Sequence, residues 1–346
     1  MTENWRTLKA AHGGRPTAGV LKADGYGTGA AQAAAALHAA GCRHFFTAHL
    51  AEALAVRALI PGAMLAALNG LLPGIEADHV AHDVVPVLGS LAEIRLWAAQ
   101  AARTGKKLPA LLHVDTGLAR LGLEASEVAA LADDPGLLAG IDVLYVMTHL
   151  VAADEPDLPI HQGQAARFAV ACQQLPPAPR SLANSAGIFL GEAFRSDLAR
   201  PGAALYGINP TADENNPMRP VARLTARVLQ VRAVAAGASV GYNATWHAGR
   251  DSRIAVVGVG YADGFPRALS NRGAASFDGV RLPLVGRVSM DLSAYDVTDH
   301  PGIAPGDWLE LLGPQRSLAA VAAEAGASPY EILTRLGRRY ARVWHA

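Results

Sequence analysis

Lys22 is the residue of this chain whose position most strongly suggests chemistry. It ends the short apolar run 18–21 and precedes a glycine-rich stretch, residues 23–30. A lysine amine that is withdrawn from water can lose its proton and attack an aldehyde. The aldehyde cofactor most often held by a lysine is pyridoxal phosphate. The sequence therefore predicts a covalent cofactor site at Lys22, with a salt bridge at a strand end as the non-catalytic alternative.

Other reactive side chains also stand at the ends of short β-like runs, namely Asp115, His149 and Asn184. Eight such runs alternate with alanine- and leucine-rich helices such as 30–40, 91–103 and 162–173. The predicted strands are residues 17–22, 44–48, 64–69, 84–88, 110–115, 143–149, 181–184 and 203–206. This alternation predicts an eight-stranded (β/α) TIM-type barrel, in which active sites lie at the carboxyl ends of the strands.

The pattern changes after residues 210–220, which are rich in Asn and Pro. The second half has β-like runs separated by Gly, Asp and Pro turns, at 221–234, 254–258, 274–277, 282–285, 294–297 and 308–311. Only residues 318–325 and 329–336 are helical in pattern. We therefore expect a barrel domain over residues 1–215 and a mainly-β C-terminal domain over residues 216–346.

The composition favours an enzyme with a small-molecule substrate. Lysine and arginine together number 30, as do aspartate and glutamate, so no net charge favours nucleic acid or an anionic membrane. The most apolar stretch, residues 58–75, is interrupted by Pro-Gly and Asn-Gly pairs, which is not typical of a membrane span. The two cysteines, Cys42 and Cys172, are too few for a disulfide framework or a metal site, and a reducing cytoplasm is expected.

Two other classes of site have partial support. Gly25, Gly27 and Ala30 match the spacing of a dinucleotide-binding fingerprint, but no acidic residue ends the second predicted strand to hold a ribose. His113, Asp115 and His149 could instead suggest a zinc hydrolase on a barrel. Neither reading explains Lys22.

Further along the chain, a series of short motifs resembles the bacterial alanine racemases, a pyridoxal-phosphate-dependent family. The resemblance covers nearly the whole chain, and the ordered set is specific although each motif alone is weak. The motifs lie at residues 21–27 (LKADGYG), 115–122 (DTGLARLG), 148–150 (THL), 183–186 (ANSA), 200–207 (RPGAALYG), 240–245 (VGYNAT), 260–264 (GYADG), 286–291 (GRVSMD) and 329–331 (PYE).

The resemblance implies how the cofactor is held. Lys22 would carry it and act as one of two catalytic bases, and Arg200 would face its pyridine nitrogen. Because an arginine does not give up its proton to a pyridine, the ring would be a weak electron sink, which favours racemisation over transamination. The phosphate would be bound by neutral donors. The implied cofactor-binding residues are Lys22, Tyr26, His149, Asn184, Ser185, Arg200, Tyr330 and the backbone amides of Gly202 and Ala203.

The resemblance also assigns a second base on the opposite face of the substrate. This would be Tyr242, delivered by the partner's β domain across a homodimer interface, with His149 and Arg200 as a relay that favours its phenolate. Arg120 and the backbone amide of Met290 would bind the substrate carboxylate. Tyr261 and Tyr330 would narrow the entrance to fit a methyl-sized side chain.

The chain departs from the family pattern at three places. His113 stands where a lysine that becomes carbamylated usually orients the arginine, and Thr28 stands where a histidine is common. Only about twenty residues precede Lys22, so either the true start lies upstream or the β domain lacks a strand, and a missing strand would leave an unpaired edge that weakens the domain and its dimer contacts. The expected activity is a homodimeric alanine racemase that supplies D-alanine for peptidoglycan. The alternatives are a racemase of another small amino acid, such as serine, and a non-catalytic pyridoxal-phosphate-binding protein.

Overall fold

The structure, a computed structural model, describes residues 1–211, 213 and 215–345 of the chain. It divides into two compact units, Met1–Arg219 and Pro220–Ala346. No helix of the described part is long and apolar enough to cross a membrane.

The first unit is built on a parallel sheet of seven strands in the order β1 to β7. The strands are β1 (Gly19–Val20), β2 (His44–Thr47), β3 (Met64–Ala67), β4 (Val85–Leu88), β5 (Leu108–His113), β6 (Ile141–Met147) and β7 (Arg180–Ser181). The helices are α1 (Thr2–Ala11), α2 (Lys22–Tyr26), α3 (Ala30–Ala39), α4 (Leu50–Arg57), α5 (Glu76–Ala81), α6 (Leu91–Thr104), α7 (Ala125–Asp133) and α8 (Ile160–Gln174).

The helix α6 illustrates how the sequence forms these elements. Its first turn is capped by Ser90, whose hydroxyl accepts a hydrogen bond from the Glu93 backbone N–H at 3.2 Å. Ile94, Trp97 and Ala101 recur at helical spacing and are buried in the core between helices and sheet. The helix ends at Gly105, which has a left-handed φ of 65°.

The eighth predicted strand is wrong in its position. Residues Ala203–Tyr206 form a 3-10 helix. The ring is instead closed by residues 198–200: the Leu198 N–H donates to the Arg180 carbonyl at 3.2 Å, and the Ala18 N–H donates to the Ala199 carbonyl at 2.8 Å. A short, fully buried apolar run is compatible with either a strand or a helical turn, which explains the error. The expected fold class, a (β/α) barrel followed by a mainly-β domain, is confirmed.

The second unit is an antiparallel β structure. Its strands are β8 (Leu224–Val234), β9 (Ser239–Val240), β10 (Trp246–His247), β11 (Ser252–Val257), β12 (Ala274–Phe277), β13 (Val280–Pro283), β14 (Ser293–Asp296) and β15 (Trp308–Leu312), followed by α9 (Leu318–Ala325) and α10 (Pro329–Thr334). Six strands form one sheet in the order β13-β12-β15-β8-β11-β14, and β9 pairs with β10 in a separate hairpin.

The outer strands of the six-stranded sheet are joined to each other. An isolated bridge connects Leu284 with Tyr295, and the Val285 N–H donates to the Ala294 carbonyl at 2.9 Å. These bonds occupy backbone groups just beyond β13 and within β14. The two outer strands of the sheet are therefore bonded to each other at these residues.

Candidate active site

The reactive residues of the first unit are placed at one end of its strands, as expected. Lys22, Asp115 and His149 each lie two residues beyond the last residue of β1, β5 and β6. Asn184 lies three residues beyond β7. Because all the strands are parallel, these side chains meet at the carboxyl-terminal mouth of the barrel.

Lys22 is presented by a left-handed turn. Ala23, Asp24 and Gly25 have φ/ψ values of 54°/48°, 54°/49° and 61°/48°, and Tyr26 has a φ of 52°. A left-handed conformation costs roughly 1–2 kcal/mol for each of the three non-glycine residues. Backbone strain of this kind persists only where the surroundings enforce it, and it is concentrated at functional sites.

Hydrogen bonds on both sides fix this turn. The Gly25 N–H donates to the Leu21 carbonyl at 2.8 Å, and the Asp24 carboxylate accepts from the Ala30 N–H at 2.9 Å, at the start of α3. The Thr28 hydroxyl donates to the Gly25 carbonyl at 2.7 Å, so the residue that replaces the family histidine has a role within the turn. The Ala23 N–H donates to the Glu52 carboxylate at 2.7 Å.

The environment of Lys22 makes its amine a better nucleophile. Burial and the positive charge of Arg120 lower the pKa of the Lys22 amine, while the negative charge of Glu52 opposes this shift. A lowered pKa increases the neutral fraction of the amine near physiological pH, which is the form that attacks an aldehyde.

A small polar cradle includes Tyr26, the last residue of the helix α2, which begins at Lys22. The Ser185 hydroxyl oxygen accepts hydrogen bonds from the Gly202 N–H at 3.0 Å and the Ala204 N–H at 3.2 Å, at the start of the 3-10 helix Ala203–Tyr206. A Cβ at Gly202 would lie 2.2 Å from the Tyr26 hydroxyl oxygen, so the backbone there is open to that hydroxyl only because residue 202 is glycine. The structure thus brings together Tyr26, Ser185, Gly202 and Ala203.

Tyr206 supports this cradle and was not identified from the sequence. Its ring stacks on that of Tyr26, with centroids 4.7 Å apart. Its hydroxyl donates to the Val20 carbonyl at 2.9 Å, and the side chain is fully buried. Tyr206 was within a recognised motif, but nothing in the sequence distinguished a supporting aromatic residue from a core one.

Arg200 is buried beneath the mouth, only 5% exposed. Its guanidinium donates to the Ser181 hydroxyl and to the Thr148 carbonyl, both at 2.5 Å. Burial lowers the pKa of Arg200 to about 10, so the side chain keeps its charge at neutral pH. This fixed cation is the main electrostatic feature of the site.

The two histidines near Arg200 are neutral at pH 7. Burial, Arg200 and Arg120 lower the pKa of His149 to about 3. Burial and Arg200 lower that of His113 to about 4. In the predicted relay from Tyr242, His149 would therefore take part as a neutral imidazole, and the positive charge would be that of Arg200.

Arg120 is carried by a loop that is held without a carbamylated lysine. The Asp115 carboxylate accepts from the backbone N–H groups of Gly117 at 2.8 Å and Leu118 at 2.9 Å, and from Ala119. Although burial opposes ionisation of Asp115, these donors outweigh it and lower its pKa. The loop is also fixed to α8, because the Arg167 side chain donates to the Thr116 carbonyl at 2.8 Å.

Asn184 has a structural role in the chain as described. Its side-chain oxygen accepts from the Gly187 N–H at 2.9 Å, at the first residue of the 3-10 helix Gly187–Phe189. This bond uses the side-chain carbonyl, so the predicted cofactor contact would be made by the amide nitrogen.

The predicted residues of the second unit are exposed. Tyr242 is 68% exposed, in the loop that joins β9 to β10. Met290 and Tyr261 are on neighbouring segments, because the Tyr261 N–H donates to the Ser289 carbonyl at 3.0 Å and the Ala262 N–H to the Met290 carbonyl at 2.9 Å. Tyr330 lies in the first turn of α10 and is also exposed.

The donor set of the first unit suits pyridoxal phosphate. The hydroxyls of Tyr26 and Ser185 and the start of a 3-10 helix can cradle a phosphate dianion, and the Gly202 backbone leaves space beside them. Lys22 can bind the aldehyde, and Arg200 supplies a cation that remains protonated. A nucleophilic lysine and such a phosphate cradle at the mouth of one barrel are features of barrel enzymes that use an aldehyde cofactor.

Comparisons with known proteins give the family. Residues 1–210 match the model of the alanine racemase N-terminal domain, and residues 221–344 match that of the alanine racemase C-terminal domain. The chain belongs to the alanine racemase family. The predicted resemblance is confirmed, and with it the enzyme class, an amino-acid racemase.

Individual relatives agree over almost the full chain. An alanine racemase from Acidiphilium cryptum is 56% identical over 340 residues, 98% of this chain and 95% of the relative. One from Brucella abortus is 49% identical over 344 residues, 95% of this chain and 87% of the relative. The crystal structure of alanine racemase from Bartonella henselae with covalently bound pyridoxal phosphate has a TM-score of 0.96 and 40% identity, and the match covers 99% of this chain and 96% of that one.

Proposed function

We propose that this protein interconverts L-alanine and D-alanine, using pyridoxal phosphate bound to Lys22. The observation that carries the proposal is the combination of a Lys22 amine with a lowered pKa and the cradle of Tyr26, Ser185 and Gly202. The family membership supports the same reaction, and the Bartonella relative holds the same cofactor covalently.

When bound, the cofactor would acidify the hydrogen on the α-carbon of the substrate. Lys22 would take or return this proton on one face, and Tyr242 would do so on the other. Arg120 would pair with the substrate carboxylate, together with the Met290 backbone amide, while Tyr261 and Tyr330 would limit the side chain to about the size of a methyl group. Arg200 would face the ring nitrogen without giving up its proton.

We further propose that the active enzyme is a homodimer with shared sites. Tyr242 stands exposed on the β9–β10 hairpin, and an acid–base residue needs a water-excluded position to work. In a symmetric dimer, Tyr242 of the partner subunit would complete each barrel site. The proposed location is the cytoplasm, and the proposed role is supply of D-alanine for peptidoglycan.

The cofactor assignment can be tested directly. Borohydride reduction of the yellow purified protein, followed by digestion, should place a pyridoxyl group on Lys22. A reduced protein with the group elsewhere, or with none, would contradict the proposal. Substrate choice is tested by comparing kcat/KM for alanine and serine in the same preparation, and a higher value for serine would favour the alternative racemase.

Shared sites can be tested by mixing two inactive variants, Lys22→Ala and Tyr242→Phe. After random subunit exchange, half of the dimers are mixed, and each mixed dimer has one site without a substitution if sites are shared. Activity should then recover to about a quarter of the wild-type level. If each site is formed within one subunit, mixing restores nothing.

A further inference from the structure

Glu52 joins two elements at the mouth of the barrel. One oxygen, Oε2, accepts from the backbone N–H groups of Ala48 at 2.7 Å and His49 at 3.3 Å, and so caps the start of α4. The other oxygen, Oε1, accepts from the N–H of Ala23 at 2.7 Å. Ala23 is the residue directly after Lys22 and the first of the left-handed turn.

We propose that Glu52 is a positioning residue for Lys22, which clamps the strained turn that carries the lysine and places a compensating negative charge near its amine. This inference rests on the proposed role of Lys22 and concerns the cofactor-free chain.

The geometry separates the two roles of the carboxylate. The capping of α4 needs only Oε2, and a glutamate at the third helical position is a common cap. The bond from Oε1 crosses to another element, and it fixes the Ala23 backbone at the start of five successive residues with positive φ. A carboxylate is suited to this task because both of its oxygens accept, whereas an amide offers one acceptor and one donor.

The charges around Lys22 give the second part of the argument. Burial and Arg120 disfavour the protonated amine, and Glu52 is the negative group that opposes them. His149 also faces Lys22, but it is neutral at pH 7 because its pKa is lowered to about 3 by burial and Arg200. Removing the charge of Glu52 therefore leaves Lys22 facing Arg120 without compensation.

The chain contains a matched control, Glu127. It too is the third residue of a capped helix, α7, where Oε2 accepts from the Glu124 N–H at 3.1 Å. Its Oε1 accepts from the N–H of a different element, Leu91 at 2.9 Å. Glu127 thus has the same double role as Glu52 but does not contact the turn that carries Lys22.

The first experiment measures the pH dependence of Lys22 acetylation in the cofactor-free protein, by trace labelling and mass spectrometry. In Glu52→Gln, the midpoint should move to lower pH relative to wild type, because the negative charge that favours the protonated amine is lost. In Glu127→Gln, it should not move. An unchanged midpoint in folded Glu52→Gln would overturn the inference and leave Glu52 as a helix cap only.

A second variant, Glu52→Asp, serves if the glutamine variant does not fold. Aspartate keeps the charge and the cap but is one methylene too short to hold both elements. Hydrogen exchange should become about tenfold faster in residues 22–30, while residues 50–57 keep their protection. Equal loss of protection in both segments, or none in either, would contradict a clamp on the turn.

These outcomes differ from failure of the proposed function. If borohydride reduction of the wild-type protein does not label Lys22, the cofactor assignment fails regardless of Glu52. If it labels Lys22 while the labelling midpoint in Glu52→Gln and the exchange in Glu52→Asp both match wild type, only the role of Glu52 fails.

Discussion

The two units hold their functional residues in opposite ways. In the first unit, Arg200 is almost fully buried, His113 and His149 have strongly lowered pKa values, and Lys22 is presented by a clamped turn. In the second unit, Tyr242 is largely exposed in the loop between the short strands β9 and β10, and Met290 and Tyr261 are exposed too. The first unit therefore surrounds its reactive groups with buried protein, whereas the second presents its predicted site residues at its surface.

This difference indicates which unit determines cofactor binding and which determines the role of Tyr242. Most of the residues proposed to bind the cofactor are held by burial and hydrogen bonds within the first unit, and Tyr330 is the one that the second unit would supply. In the proposed homodimer, Tyr242 would be covered by the partner subunit, which the second unit alone does not provide. Substitutions in the two units should accordingly produce different kinds of defect.

The largest effect is expected for Lys22→Ala. Loss of the nucleophilic amine should reduce racemase activity by about 10⁴-fold or more and abolish borohydride labelling. D-alanine formation and mass spectrometry measure the two effects. Lys9→Ala, on the surface of α1, is the control. Retained activity in Lys22→Ala would contradict the proposal that the first unit binds the cofactor through Lys22.

The next largest effect is expected for Tyr242→Phe. The substitution removes the acid–base hydroxyl of one face, so α-proton exchange should fall by about 10²- to 10⁴-fold for one enantiomer and much less for the other. Deuterium incorporation from D₂O into each enantiomer measures this asymmetry. Trp308→Phe is a control on the same unit. Equal and mild losses for both enantiomers would exclude Tyr242 as a face-specific base.

A smaller effect, confined to cofactor binding, is expected for Gly202→Ala. The added Cβ would lie 2.2 Å from the Tyr26 hydroxyl, and Tyr26 cannot easily yield because it stacks on buried Tyr206. Cofactor affinity should fall by about 100-fold, as measured by absorbance titration of the cofactor-free protein. Gly249→Ala, which meets no atom within 4 Å, is the control. Unchanged cofactor affinity in Gly202→Ala would mean that the phosphate is not bound beside Gly202 and Tyr26.

The buried histidines should make the stability of the first unit depend on pH. His113 has a pKa of about 4 in the folded chain against 6.5 as its ordinary value, so the unfolded chain binds more protons between these limits. The free energy of unfolding should thus fall by about 3 kcal/mol as pH drops from 6.5 to 4. Urea unfolding across this range measures the slope, and His113→Gln should reduce it. The same slope in His113→Gln, with exposed His247→Gln as the control, would contradict a neutral buried His113.

The smallest effect is expected from bicarbonate. A histidine at position 113 cannot form the stable carbamate that a lysine would form, and the Arg120 loop is held by Asp115 and Arg167. Racemase activity should change by less than about twofold on adding bicarbonate. Strong activation would show that another amine near Arg120 reacts with it.

Most of the elements could be predicted from the sequence, because apolar periodicity and turn residues mark them. The helices 318–325 and 30–40 and the strand 274–277 were located within a residue. The helix α1 was not predicted, although Trp5 and Leu8 are buried and the Asn4 amide donates to the Leu205 carbonyl at 3.2 Å. A helix of ten residues that is held by contacts with distant segments does not show a clear apolar periodicity in its own sequence.

The site was predicted as a set of residues but not as a geometry. The sequence identified Lys22, Arg120 and Arg200, and the structure places all three around His149. It could not show that Ala23, Asp24 and Tyr26 adopt left-handed backbone conformations, since their intrinsic preferences oppose this. The sequence did not indicate a role for Glu52, because its importance depends on a hydrogen bond to a segment about thirty residues away.

Residues 198–200 close the ring of the barrel, so the cofactor site can form only when the barrel is complete. Tyr206, just after these residues, donates a hydrogen bond to the carbonyl of Val20, which is 186 residues earlier in the chain. Contacts this distant in sequence form late during folding. Binding of pyridoxal phosphate during refolding should therefore begin later than helix formation. Its onset should mark the time at which the first and last parts of the barrel come together.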